Sequence, residues 1–210
     1  NSVFNIAATL LLLPFVKQFD KLVCALIKDK KTDKETDLLD RLEERFLEHP
    51  GVAIDQSRTV LMAMAEKSQR NLMRAIALLN NFDDKEYEVV QEKEEVIDKY
   101  EDKLGTYLVK ITGLELNENQ SHEVSRFLHT IGDFERIADH AVNISHVAKE
   151  IHEKQLTFSF EANRELEILA SAIKEIVTLS VSCFIGDKSV DVYRVEPLEE
   201  MIDLLCDELK

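Results

Sequence analysis

Residues that interrupt helices are scarce in this chain. Its 210 residues include only 5 glycines and 3 prolines, whereas average usage would give about 15 and 10. A β-sandwich or β-barrel needs many tight turns, and tight turns depend heavily on these two residue types. Long helices are therefore the predicted architecture, and the chain is long enough to bury a substantial core in one domain or two small ones.

Apolar residues recur with helical spacing over almost the whole chain after residue 37. The pattern predicts a short helix over residues 38–48, which ends at His49, Pro50 and Gly51. Five long helices should follow, at residues 55–81, 84–111, 118–153, 161–185 and from about 189 to the last residue. Because the connections are short, neighbouring helices should pack antiparallel as an all-α bundle.

The chain contains an internal repeat with an offset of 105 residues. Residues 90–104 (VQEKEEVIDKYEDKL) and 195–209 (VEPLEEMIDLLCDEL) are identical at 7 of 15 positions. The first and second long helices thus recur as the fourth and fifth, and a counterpart of the third is expected beyond the end of the sequence. We therefore predict one complete three-helix repeat over residues 55–154 and a truncated second repeat over residues 155–210.

The N-terminal residues differ from the rest in charge and hydropathy. Residues 3–16 (VFNIAATLLLLPFV) carry no charge, and lysines follow at once. This run is shorter than the roughly 20 residues that cross a bilayer, so we interpret residues 1–28 as the end of a transmembrane segment with a membrane-exit helix. The lysines mark the cytoplasmic side. The alternative for this apolar run is a buried core helix. Residues 29–54 are predicted to form a charged linker that contains the short helix.

The composition argues against several functions. A net charge of −15 disfavours binding to nucleic acid, which requires a cationic face. Glycine-rich phosphate loops, nucleophile elbows and the HExxH motif are absent from the sequence, so we do not expect an enzyme. The 3 cysteines form no CxxC pair, which favours a reducing compartment over a disulfide framework or a zinc knuckle.

Acidic residues interrupt the apolar stripes of two predicted helices. Glu135 and Asp139 share one helix face because they are four residues apart, and Glu94 and Asp98 have the same spacing in the preceding helix. Carboxylates against an apolar seam cost desolvation energy unless a cation neutralises them. Together they predict an oxygen-rich site for Mg, Mn, Ca or ferric iron.

The repeat supports this interpretation, because Glu199 and Asp203 take the places of Glu94 and Asp98 in the second copy. A solvated acidic helix surface is the alternative, since a chain with 41 acidic residues contains ExxxD pairs by chance. No histidine lies three residues after a glutamate, so the Glu-x-x-His motif of ferritin-like di-iron proteins is absent from the sequence.

The sequence around these carboxylates resembles the PhoU family of phosphate-signalling proteins, which are built from two three-helix repeats. The resemblance is carried by residues 132–145 (GDFERIADHAVNIS), by EEVID at 94–98 and by its copy EEMID at 199–203. Residues 1–15 (NSVFNIAATLLLLPF) resemble the last membrane segment of bacterial sodium/phosphate cotransporters. Residues 38–53, which end in FLEHPGVA, resemble the linker that follows that segment.

The resemblance implies a cytosolic PhoU-like regulatory domain of a sodium-dependent phosphate transporter in the inner membrane, acting in phosphate homeostasis. The implied partners are the transporter core of the same polypeptide, with sodium and phosphate for the whole protein; a homodimer stays open. PhoU proteins bind metal clusters through paired E(D)xxxD motifs, which implies divalent or ferric ions (Mg, Mn, Fe or Zn). The implied ligands are Glu94, Asp98, Glu135 and Asp139, with Glu199 and Asp203 in a second, incomplete cluster. A free-standing PhoU-like adaptor for a sensor kinase or an ABC transporter is the alternative.

Overall fold

The computed structural model describes residues 38–186 and 189–208. These residues form five α-helices and no β-strand: α1 (Pro50–Asn80), α2 (Asp84–Thr112), α3 (Glu118–Glu153), α4 (Phe160–Phe184) and α5 (Val195–Glu208). Short 3-10 turns lie at Leu39–Arg41, Glu44–Glu48 and Val192–Arg194. The predicted all-α bundle is therefore confirmed. The interpretation of residues 1–28 as a membrane segment lies outside the described residues.

Side-chain caps explain where three of the helices begin. The Asp83 carboxylate accepts hydrogen bonds from two backbone N–H groups in the first turn of α2. Asn117 and Gln120 form a reciprocal capping box at the start of α3, and the Ser159 side chain caps α4. Such caps satisfy backbone donors that have no partner inside the helix. The predicted bounds of α2, α3 and α4 accordingly agree with the structure to within one residue.

The linker segment, which we define as residues 38–48, differs from its prediction. It forms two 3-10 turns instead of one short helix, because Leu42 has a ψ of 61°, outside the helical region. Helix α1 then begins at Pro50 rather than at Asp55. Proline is favourable at the first helical position, since the N–H that it lacks would have no partner there and its φ is already helical.

The last described helix also starts later than predicted. We expected it near Ser189, whereas α5 begins at Val195. A 3-10 turn precedes α5, and the Asp191 side chain accepts a hydrogen bond from the backbone N–H of Tyr193 within that turn. Pro197 lies in the first turn of α5, where its missing N–H does not break the helix.

Helices α1, α2 and α3 pack around a shared core as an up-down-up bundle. Helix α2 is antiparallel to α1, since Arg74 pairs with Glu86 across 3.7 Å. Helices α1 and α3 are parallel, since Arg58 and Glu123, which lie near their respective starts, form an ion pair of 2.5 Å. The largest fully buried side chains of the core include Tyr100, Leu61, Met64, Ile97, Leu104, Leu108 and Ile111.

Helices α4 and α5 form a hairpin that is far less buried. Helix α4 contacts α1 through a hydrogen bond of 3.1 Å from Gln69 to Thr178, and it contacts α3 through the edge-to-face rings of Phe134 and Phe184. Val181 is buried in α4, whereas none of the described residues of α5 is buried. Helix α5 packs mainly on α4. Across the described ranges, every helix is too short or too polar to cross a bilayer.

Candidate metal centre

The predicted carboxylates of α2 and α3 lie at the edge of the core, along the seam between these two helices. Glu94 and Glu135 are half-buried, whereas Asp98 and Asp139 are exposed. The buried positions of α3 are Val124, Phe127, Ile131, Phe134, Ala138, Ala141, Ser145 and Ala148. The expectation that Glu135 interrupts the apolar stripe is therefore corrected: Glu135 flanks the stripe, and its desolvation is only partial.

The two carboxylates of α2 are held in an unfavourable electrostatic environment. The pKa of Glu94 is raised mainly by burial, and the negative charges of Asp98 and Asp139 raise it further. The pKa of Asp98 is also raised mainly by burial, with further contributions from the charges of Asp139 and Asp102. Because Asp139 belongs to α3, its charge acts across the helix interface on both carboxylates.

Glu135 completes this arrangement from the side of α3. Its pKa is raised by burial, then by the charge of Asp139, then by Glu101, and Asp98 contributes as well. The structure thus brings the four predicted residues into one group, the carboxylate cluster of Glu94, Asp98, Glu135 and Asp139. Glu101 is an additional member that our sequence reasoning did not select. The available signal was its place in the apolar stripe of α2, seven residues after Glu94.

Polar contacts continue the seam towards the start of α2. The side-chain amide of Gln91 donates a hydrogen bond of 2.9 Å to the hydroxyl of Ser145, which is buried. His146 Nε2 lies 3.3 Å from the Gln91 side-chain oxygen. These contacts fix α2 against α3 one turn before Glu94, and so they define the surface on which the carboxylate cluster lies.

Glu199 and Asp203 occupy a different part of the structure. Both are exposed on α5, which packs mainly on α4. The raised pKa values of Glu94, Asp98 and Glu135 come from burial and from charges on α2 and α3 alone. The structure therefore brings four of the six predicted ligands together and leaves the pair on α5 apart from them.

The donor chemistry of the carboxylate cluster fits a hard cation. Carboxylate oxygens from two helices suit Mg, Mn, Ca or ferric iron better than Zn, which usually takes histidine or cysteine ligands in closed sites. Within residues 38–186 and 189–208, however, the side chains of histidine, cysteine, aspartate and glutamate form no group of three or more placed to hold a metal ion. A bound cation would thus require these carboxylates to rotate towards one another.

A cavity of about 570 Å³ lies away from this cluster, between the linker segment and the C-terminal half of α2. Its two lysines are already engaged, because Lys103 pairs with Asp40 and Lys110 pairs with Glu44. The cavity contains none of the predicted ligands. We therefore assign the candidate site to the carboxylate cluster, where like charges from two helices meet, and not to this cavity.

Comparison with known proteins covers the part of the chain that contains this cluster. Residues 61–148 match the PhoU domain, so the part of the chain from α1 to α3 contains a PhoU domain. The match includes all four residues of the carboxylate cluster, whereas α4 and α5 lie outside it. No curated protein and no solved structure matches the chain. The PhoU domain indicates a role in phosphate homeostasis or its regulation.

Proposed function

We propose that this chain is a regulatory, metal-binding PhoU-like domain of a sodium-dependent phosphate transporter, with no catalytic step of its own. The proposal depends most on one observation: inside the PhoU domain, burial raises the pKa values of Glu94, Asp98 and Glu135, and carboxylates of the facing helix raise them further across the seam. Such a group favours either a proton or a cation, because both relieve the repulsion.

The residues that would hold the cation are Glu94 and Asp98 from α2, and Glu135 and Asp139 from α3. Each helix offers its two carboxylates four residues apart, one turn along the same face. A hard cation bound there would neutralise charges that otherwise repel. Glu101, which acts electrostatically on Glu135, would add to the negative potential around the site without being needed as a ligand.

The hairpin of α4 and α5 carries part of the same pattern. Glu199 and Asp203 are the repeat equivalents of Glu94 and Asp98, and both side chains are exposed to solvent. We include them as two ligands of a second cation site. Two carboxylates on one exposed helix bind a cation weakly, so this second site is expected to have a much lower affinity than the carboxylate cluster.

Metal titration tests the first site directly. The chain is stripped with a chelator and titrated calorimetrically with Mn, Mg and ferric iron, while thermal unfolding is followed in parallel. A cation that binds only the folded state stabilises it by about 2.7 kcal/mol at a hundredfold excess over its Kd. The double variant Glu135→Gln with Asp139→Asn should lose both the binding heat and this stabilisation.

The matched control removes the same charge elsewhere on the bundle. Glu88 and Glu92 are also four residues apart on α2, and both are exposed. The double variant Glu88→Gln with Glu92→Gln should bind cations like the unmodified chain. If the control loses binding as well, the effect is one of overall charge. If the unmodified chain binds no metal, the carboxylate cluster is an acidic helix surface.

The transporter context is supported by the resemblance of residues 1–15 to a cotransporter membrane segment and by the lysines that follow. Under this proposal, residues 1–28 lie in the inner membrane and the bundle lies on the cytoplasmic side. The bundle would act there on the transporter core of the same polypeptide. Reporter fusions after Lys210 test this topology. We expect a fluorescent protein to be active in the membrane fraction and a periplasmic phosphatase reporter to be inactive. A reporter found only in the soluble fraction would favour the free-standing adaptor instead.

A further inference from the structure

A buried asparagine connects α1 to the turn of α2 that carries Glu94. Asn71 is fully buried, and its side-chain amide donates a hydrogen bond of 3.0 Å to the backbone carbonyl of Val90. In an α-helix a carbonyl accepts the N–H of the residue four positions later, so this carbonyl belongs to the turn that ends at Glu94. Asn71 therefore contacts the stretch of backbone that places one of the four cluster carboxylates.

Asn71 lies at the level where the apolar core of the bundle is divided in two. The two clusters of buried apolar side chains are separated in α1 by residues 66–71, in α2 by residues 91–96 and in α3 by residues 139–140. Asn71, Glu94 and Asp139 lie in these three intervals, one on each helix. The buried amide is therefore at the height of the bundle where carboxylates of α2 and α3 meet.

Stability alone gives no reason for an amide at this position. Asn71 Oδ1 has no hydrogen-bond partner among the described residues, and a buried acceptor without a partner destabilises the folded state. Leucine, whose side chain branches at the same atom, would avoid this penalty. The Val90 carbonyl would then keep its partner within α2. Asn71 therefore contributes something other than stability.

Direction is what this hydrogen bond adds to the apolar packing. The hydrophobic effect is non-directional, so apolar contacts tolerate small rotations of a helix about its axis, whereas a hydrogen bond restricts both distance and angle. Buried polar side chains fix helix register in coiled coils at a cost in stability. We propose that Asn71 is a positioning residue for the carboxylate cluster, which fixes the rotation of α2 so that Glu94 faces Asp139. This inference rests on the proposed cation binding at the cluster.

Two substitutions with different effects on packing separate positioning from stability. With chelator present, Asn71→Leu should leave the Tm unchanged or raise it, because the unpaired oxygen is removed. Asn71→Ala should lower the Tm, because it leaves a space in the core. Both should weaken calorimetric Mn binding by about tenfold, the lower end of the range for residues that orient metal ligands. Titrations are run at a temperature where circular dichroism shows each variant to be folded.

The matched control is a buried polar side chain that bonds within its own helix. Ser68 is as buried as Asn71 and lies one turn before it on α1, and its hydroxyl donates a hydrogen bond of 3.1 Å to the Met64 carbonyl. Ser68→Ala therefore removes a buried polar group from α1 without removing a contact to α2. It should leave the Mn affinity unchanged.

The rotation of α2 is measured without metal by the distance between two spin labels. The labels are attached through Ala77→Cys in α1 and Glu92→Cys in α2, two exposed positions, in a chain whose 3 native cysteines are replaced by serine. Double electron–electron resonance should give the same narrow distance distribution with and without Ser68→Ala. Asn71→Leu should broaden or shift this distribution.

The outcomes separate this inference from the proposed function. If the unmodified chain binds no Mn, the proposed function fails and the positioning role fails with it. If the unmodified chain binds Mn and Asn71→Leu binds it equally well, only the positioning role fails. Mn affinities that follow the Tm across the two Asn71 variants, an equal loss in Ser68→Ala, or a label distance unchanged by Asn71→Leu would also overturn it. If neither Asn71 variant folds, Asn71 is a folding residue and the inference is wrong.

Discussion

The sign of one substitution should reverse with the occupancy of the carboxylate cluster. Glu135→Gln removes the half-buried charge of α3 that meets Asp139 on its own helix and Glu101 across the seam. A like-charge pair four residues apart destabilises its helix by about 0.2–0.5 kcal/mol, and we take the same magnitude for the pair across the seam. Removing both interactions should stabilise the metal-free chain by about 0.5–1 kcal/mol, at the lower end where solvent screens the charges. For a unit of this size the Tm should rise by roughly 1–4 °C.

With saturating cation the same substitution should destabilise the chain relative to the unmodified protein. Glutamine keeps one carbonyl oxygen but no charge, so Glu135→Gln loses part of the stabilisation that cation binding provides. Urea unfolding and thermal unfolding, each with chelator and with Mn, measure both signs on one protein. The exposed residue Glu92 supplies the control, because Glu92→Gln removes a charge from α2 without touching the cluster.

The pH dependence gives an independent check. The pKa of Glu135 is raised above its ordinary value of 4.5 in the folded chain, so the folded state takes up this proton at a higher pH than the unfolded state. The destabilising repulsion is thus fully present above the folded pKa and is lost below the unfolded pKa. The gain from Glu135→Gln should be largest near pH 7 and should disappear as the pH falls through 4.5. A gain of equal size at both ends, or a loss in the metal-free chain at pH 7, would refute the reasoning.

Three further predictions concern the packing around the bundle. Leu39 of the linker segment is 3% exposed and packs into the core, so Leu39→Ala should cost about 2–4 kcal/mol in urea unfolding. Tyr107 donates a hydrogen bond of 3.0 Å to the backbone oxygen of Glu43. Tyr107→Phe should lower the free energy of unfolding by about 0.5–1.5 kcal/mol and should speed proteolysis within the linker segment. Unchanged cleavage would argue against this contact. Arg58 pairs with Glu123 at a partly exposed position, and a double-mutant cycle with Arg58→Met and Glu123→Gln should give a coupling of about 0.5–1 kcal/mol that shrinks at high salt.

Most of the fold could be predicted because the local signals agree with one another. Helix α3 has its capping residue Asn117 at the start and an unbroken run of buried positions at steps of three and four, so its bounds followed from the sequence. The linker segment could not be predicted in the same way. Its leucines have helical spacing, but Leu42 adopts a non-helical ψ and Leu39 instead packs under α2. Tertiary packing there overrides the local pattern.

The candidate site was predictable to the level of helix faces and not beyond. Spacing places Glu135 and Asp139 on one face of α3, and the repeat selects the α2 pair, but the sequence does not give the rotation of α2 against α3. That rotation puts Glu135 beside the buried stripe instead of within it, and it brings Glu101 close enough to raise the pKa of Glu135. The separation of Glu199 and Asp203 from the cluster likewise depends on where α5 packs.

The half-buried position of the carboxylate cluster is compatible with reversible cation binding. The core beneath the seam is apolar: Tyr100, Leu104 and Leu108 of α2 are fully buried, and Phe134 and Ala138 of α3 pack into the same cluster of side chains. The side chains buried within the described residues include no carboxylate, so no charge inside this core requires a cation. Full burial of four ionised carboxylates would cost several kcal/mol for each charge, and the domain would then fold only with metal bound, as small zinc domains do. Full exposure would leave the repulsion too weak to favour a cation. Partial burial keeps the penalty small enough for folding and large enough for a cation to relieve, which is the balance that a regulatory site requires.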